Sequence, residues 1–228
     1  MIRPTLSVND HAHIYNRGVD KRIVFNENAD YARFVHTLYI CNDTEFTVKN
    51  LNRMIENVQN PILHIGERTG ERFVDILCFT LMPNHFHLLL RQNIDKGISK
   101  FMHKIGIAYT LYFNLKNERT GSLFEGKYKY KIVNNEQYLV YLSQYIHLNP
   151  IKIIEPKWKE KGITNWKQAN DFLEMYKWSS YQDYIGIKNL PSVINPGLLG
   201  EYYEKPEKYK KFVNSYLVED LDKIINLS

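Results

Sequence analysis

With 228 residues, 44% apolar and 24% charged, the chain has the composition of an ordinary soluble globular protein, long enough to bury a full core as one domain with an appended subdomain. Its two cysteines, Cys41 and Cys78, lie far apart in apolar settings. They exclude a disulfide framework or a cysteine-based zinc motif, so any metal must be held by His, carboxylate or amide groups, while the formal charge of +5 is modest.

Residues 12–17 alternate in part and end at Gly18, which predicts a first strand and a turn. The opening contains no apolar signal-type segment, and no membrane span is expected, so the expected address is cytoplasmic. Asn28-Ala-Asp then starts a helix over 31–41, where Tyr31, Phe34, Val35, Leu38 and Tyr39 follow helical spacing. Residues 42–72 hold Asn/Asp clusters, Pro61 and the turn signal from Gly66 to Gly70, and read as an insertion or long connection.

Residues 73–81 are strongly β-prone, Met82-Pro83-Asn84 breaks the run, and residues 86–90 resume it, which predicts a hairpin of two buried strands. A helix is expected over 98–116, with Phe101, Ile105, Ala108, Tyr109 and Tyr112 on one stripe. After Gly121 a strand is expected over 122–133, and Asn134 or Asn135 then caps a helix over Glu136–Leu148, ended by Pro150. This order predicts an α+β, ferredoxin-like core with a mixed or antiparallel sheet covered by helices. Residues 1–154 form that domain, with an insert at 42–72. Residues 155–228 form a C-terminal helical extension packed on the core, with helical stretches at 166–175 and 207–217.

Charge is concentrated in the middle: residues 91–131 hold nine Lys/Arg against three Asp/Glu, interleaved with aromatic rings. Such a stretch suits a phosphate-neutralising, base-stacking surface, and it suits a solvated helix face over an aromatic core equally well. His85 and His87 stand two apart on a predicted strand, so their imidazoles share one face and can converge on a cation. One such pair arises by chance in roughly 0.3 of chains of this composition, so the spacing alone is a weak signal. Tyr145 and Asn149 lie one helical turn apart on a common face, yet Tyr138, Tyr141 and Tyr145 also make a stripe that core packing would explain.

Three segments taken together resemble the single-tyrosine HUH transposases, especially the REP-associated tyrosine transposases. They are Met82-Pro-Asn-His-Phe-His-Leu-Leu89, Gly121-Ser-Leu-Phe-Glu-Gly-Lys-Tyr-Lys129 and Tyr141-Leu-Ser-Gln-Tyr-Ile-His-Leu-Asn-Pro150. His13-Ile-Tyr-Asn-Arg-Gly18 and Trp178-Ser-Ser-Tyr-Gln-Asp-Tyr-Ile-Gly186 are similar to segments at corresponding places, so the likeness spans roughly residues 12–186. It implies that His85 and His87 are metal ligands, that Tyr145 is the nucleophile and that Asn149 is the third ligand. Some relatives have Gln at that last position, and the shorter Asn binds directly or through water.

The same resemblance implies Mg²⁺ or Mn²⁺ as cofactor and a DNA hairpin with flanking single strand as partner, hence a nucleoid-associated enzyme. Lys127, Lys129, Lys131 and Arg17 are the expected DNA-backbone contacts, and Tyr128 and Tyr130, facing the other way, are core residues or base-stacking platforms. The expected reaction is cleavage and rejoining of single-stranded DNA through a 5′-phosphotyrosine. The alternatives are a catalytically silent DNA-binding or domesticated protein of the same fold, and a water-using phosphoesterase without a tyrosine adduct. In a homodimer, the helix carrying Tyr145 can complete its own site or that of its partner.

Overall fold

The computed structural model describes residues 5–47, 69–203 and 205–216. Much of the predicted insertion at 42–72 therefore lies outside the described residues. The first strand, β1 (His11–Arg17), leads through Gly18 and a short 3-10 turn to helix α1 (Asn28–Ile40). Gly18 is required by close approach, because a Cβ there would stand 2.4 Å from the Arg22 carbonyl oxygen. Glu27 and Asp30 start α1 with a reciprocal capping box.

Strands β2 (Val74–Met82) and β3 (His85–Gln92) form the expected hairpin, followed by helix α2 (Gly97–Lys116), strand β4 (Lys129–Val133) and helix α3 (Glu136–Leu148). The described strands make one sheet in the order β2-β3-β1-β4, with every neighbouring pair antiparallel. The sheet is thus fully antiparallel, with the split βαβ order of a ferredoxin-like core. The expected strand over 122–133 is shortened to its last five residues. Gly126 adopts φ of +90°, which breaks the extended run, and Phe124 makes only an isolated bridge to Gly18.

Strand alternation gives the sheet two different faces. On one, Ile14, Leu88, Leu90 and Phe86 are sealed beneath α1 and α2; the Phe86 ring lies 5.1 Å from Phe34 and 5.7 Å from Phe124. The other carries His13, Tyr15, His85 and His87, and there α3 crosses the strands. Helix α3 starts where the Asn135 side chain accepts from the Tyr138 amide at 2.7 Å, and it buries Tyr138, Leu139, Leu142 and Ile146. Pro150 ends it and a 3-10 turn, Asn149–Ile153, follows.

Among the described residues, five short helices follow that turn: α4 (Trp158–Lys161), α5 (Trp166–Met175), α6 (Tyr181–Tyr184), α7 (Leu198–Tyr202) and α8 (Pro206–Asn214). The segment before α6 runs along the outer edge of β2: the Leu81 amide donates to the Trp178 carbonyl at 2.9 Å and the Ser180 amide to the Phe79 carbonyl at 3.1 Å. It covers an edge that would otherwise expose unpaired backbone. His147, two residues from Tyr145, points into this packing, bonded to the Tyr209 hydroxyl at 2.6 Å and the Ser180 hydroxyl at 2.8 Å. Burial holds its pKa down to about 3, so it is a neutral structural histidine. Among the described residues no helix is long and apolar enough to cross a membrane.

Candidate active site

The register of the sheet brings His13 into the site. Tyr15 pairs with His87 and Arg17 with His85, so the odd-numbered residues of β1 share the face of the histidine pair. The His13 and His87 rings stack with centroids 5.0 Å apart, and His13 Nε2 meets His87 Nδ1 at 2.8 Å. His85 Nδ1 meets Asn84 Oδ1 at 2.6 Å; since the amide oxygen can only accept, His85 Nδ1 carries the proton and donates. The Asn84 amide nitrogen donates to the Lys21 carbonyl at 3.1 Å, which fixes that orientation.

Burial is the main cause that lowers the pKa of all three rings. His85 is lowered to about 4 and His13 to about 3, with nearby lysines adding to the effect, and His87 falls well below the usual histidine value. At neutral pH the rings are therefore uncharged. With its Nδ1 protonated, His85 keeps the Nε2 lone pair for a ligand, and His87 does the same in the tautomer whose Nδ1 donates to His13 Nε2.

Helix α3 delivers Tyr145 to the same place. Its ring stands edge-on to His87 at a centroid distance of 6.0 Å and edge-on to His13 at 6.4 Å. Tyr138 is instead buried in the core, and Tyr141 packs near Phe212 at 6.3 Å, so tertiary structure distinguishes the three members of the stripe. Burial is the main cause raising the Tyr145 phenol above its ordinary pKa, with Tyr15 also raising it and Asn149 drawing it down.

Asn149 lies one turn further on and is buried. Its amide nitrogen donates to the Tyr145 carbonyl at 2.8 Å, and its Oδ1 accepts from the Lys159 ammonium at 3.0 Å. The same ammonium donates to the Tyr145 hydroxyl oxygen at 2.7 Å. Burial first, and then Lys152, lower the Lys159 pKa to about 8. Neither Lys159 nor His13 was expected at the site. No spacing rule links residues 14 positions or 74 positions away, and only the turn after α3 and the strand register bring them in.

Among the described residues no three His, Cys, Asp or Glu side chains group to hold a metal ion. The donors on offer are the Nε2 atoms of two neutral imidazoles and, as a third, the second lone pair of Asn149 Oδ1. That set fits a divalent cation sharing its remaining positions with phosphate oxygens, because it brings no negative charge of its own.

The expected DNA contacts divide. Lys131 pairs with His13 across β1 and β4, and Lys129 with Tyr15, so both exposed lysines stand on the histidine face. Arg17 is there as well, but Glu125 holds its guanidinium through two bonds, at 2.8 and 3.2 Å, and balances its charge. Lys127 precedes β4 and lines a cleft of about 760 Å³ on the opposite face, together with Tyr128, Tyr130, Phe124 and Phe86.

A family model described as "Transposase IS200 like" matches residues 45–149, the segment that contains His85, His87, Tyr145 and Asn149. This bears out the transposase resemblance over that segment. No curated protein matches the chain. It is similar in structure to a REP-associated tyrosine transposase solved bound to a REP hairpin, at 11% identity and a TM-score of 0.41, over 83% of this chain and 88% of that one.

Proposed function

We propose, taking residues 45–149 as an IS200-like transposase domain, that the protein cleaves and rejoins single-stranded DNA through a covalent link to Tyr145. The observation that carries this reading is the approach of the Tyr145 ring to His87, 6.0 Å between centroids. A phenol and a pair of uncharged imidazoles on one face of the sheet support the reading of Tyr145 as nucleophile and of His85 and His87 as metal ligands. Lys129 and Lys131 stand on that face, where they suit phosphates of a single strand.

Mg²⁺ or Mn²⁺ would be held by His85, His87 and Asn149, and when bound it supplies Lewis-acid polarisation of the scissile phosphate. The protein's own task is to hold the phenol in line. The Tyr145 Oη to phosphorus bond forms as the bond to the 3′ oxygen breaks, leaving a 5′-phosphotyrosine and a 3′-hydroxyl. The proton lost by the phenol balances the one gained by the 3′ oxygen. Attack by another 3′-hydroxyl reverses the step and rejoins DNA without ATP, because the covalent link conserves the bond. A hairpin with a flanking single strand is the substrate that the family resemblance implies.

Tyr145→Phe tests the reading. Wild-type protein incubated with end-labelled hairpin DNA and Mn²⁺ is expected to give a covalent adduct on a denaturing gel, and the variant none. Absence of adduct from the wild type on every hairpin-bearing substrate would overturn it. Cleavage that survives the substitution would instead establish a water-using phosphoesterase.

A further inference from the structure

The groups around the Tyr145 hydroxyl pose a chemical question, because what meets the phenol oxygen is a cation and not a base. Lys159 sits in the short helix α4, next to Trp158, whose side chain is almost completely buried and anchors that turn to the core. Its ammonium donates to the Tyr145 hydroxyl oxygen at 2.7 Å and to Asn149 Oδ1 at 3.0 Å, and lies 4.2 Å from the Tyr145 ring centroid. Among the described residues no carboxylate lies within ion-pair distance of this half-buried ammonium. Its two partners are neutral oxygens. A desolvated cation without a counter-ion is costly, and an incoming anion relieves that cost.

We infer that Lys159 is a catalytic residue for the Tyr145 reaction, its ammonium holding the phenol oxygen and stabilising the negative charge that develops there during attack on the phosphodiester. This rests on the function proposed above. The electron pair of the phenol oxygen forms the bond to phosphorus, and the bond from phosphorus to the 3′ oxygen breaks. The phenolic proton passes to water, and water returns a proton to the departing 3′ oxygen. Lys159 keeps its own protons throughout: it acts as a fixed charge and hydrogen-bond donor. After cleavage it pairs with the oxygens of the phosphotyrosine, the anion for which its surroundings provide no substitute.

Four proteins test the assignment: wild type, Lys159→Met, which keeps the aliphatic stem, Lys159→Arg, and Lys159→Met carrying 3,5-difluorotyrosine at position 145. Single-turnover adduct formation is measured with saturating hairpin DNA and Mn²⁺, alongside DNA affinity by fluorescence anisotropy and the urea unfolding midpoint. Lys159→Met is expected to slow adduct formation by about 10²–10³-fold, the usual effect of removing one donor from a developing oxyanion. DNA affinity should stay within a few-fold, and Lys159→Arg should recover much of the rate. The fluorinated phenol, which carries negative charge more readily, should restore at least about tenfold in the Lys159→Met background and much less in the wild type.

An adduct rate for Lys159→Met within threefold of wild type would overturn the inference and leave the Tyr145 reading standing. A slow Lys159→Met that the fluorinated phenol does not rescue would overturn it too, by assigning Lys159 to packing. If Lys159→Met does not fold, the folded Lys159→Arg decides: retention of adduct formation supports the inference, and loss of it despite intact DNA binding opposes it. A wild type that forms no adduct would remove both readings together.

Discussion

Strand β3 presents two chemistries from one stretch of backbone. Phe86, Leu88 and Leu90 face α1 and α2 and are fully buried among hydrocarbon and rings. His85 and His87, interleaved with them, face α3, each with its Nδ1 held in a defined hydrogen bond. The first face is built from contacts that any well-fitting apolar group can supply, and its energy is spread over many neighbours. The second depends on particular atoms: one nitrogen of each ring is held by a partner, and the other is left for a ligand. A two-residue period is what allows a rigid hydrophobic core to hold a polar site in place.

That division is sharpest at adjacent positions. His87→Ala is expected to reduce adduct formation by about 10³-fold or more, since a Lewis-acid site supplies several kcal/mol to the transition state, while leaving the urea midpoint close to wild type. Phe86→Ala should do the opposite: about 3–5 kcal/mol lost from unfolding free energy, with adduct formation preserved in the molecules that remain folded. Adduct assays and urea titrations on the two variants measure both quantities. An unfolded His87→Ala, or a stable Phe86→Ala without activity, would break the comparison.

A smaller effect probes the support of the polar face. His13 meets His87 Nδ1 at 2.8 Å and so fixes the ring and the nitrogen that it presents. Loss of such an outer partner costs about 10–100-fold in metal affinity, so His13→Ala should weaken Mn²⁺ binding by that factor. Direct titration calorimetry of the DNA-free protein measures it, and unchanged affinity would reduce the His13 to His87 contact to simple packing.

Much of the scaffold was readable from the chain because its elements carry strong periodic or capping signals. The buried runs of β2 and β3, the apolar stripe of α2, and Asn135 with Pro150 around α3 each placed an element within a few residues of its observed bounds. The strand expected over 122–133 is too long because Gly126, with φ of +90°, interrupts a sequence whose composition is otherwise β-prone. His85 and His87 were legible as a pair by alternation, whereas Tyr145 could not be separated from Tyr138 and Tyr141 by helical spacing. Only the resemblance singled it out, and the packing of α3 then placed its ring beside the histidines. His13 stands in a segment of the resemblance that assigns it no role, and Lys159 has no local signal at all; strand register brings in one and a turn beyond Pro150 brings in the other. Arg17 and Lys127 look alike as exposed cations in sequence, yet one is neutralised by Glu125 and the other lies on the far face.

The most direct test of the central claim is to digest the wild-type adduct formed on hairpin-bearing single-stranded DNA and locate the linked nucleotide by mass spectrometry. One modified peptide is expected, with the DNA joined through its 5′ phosphate to the Tyr145 oxygen. A nucleotide found on Tyr138, Tyr141 or any other residue, or cleaved DNA with no protein-linked nucleotide, would contradict it.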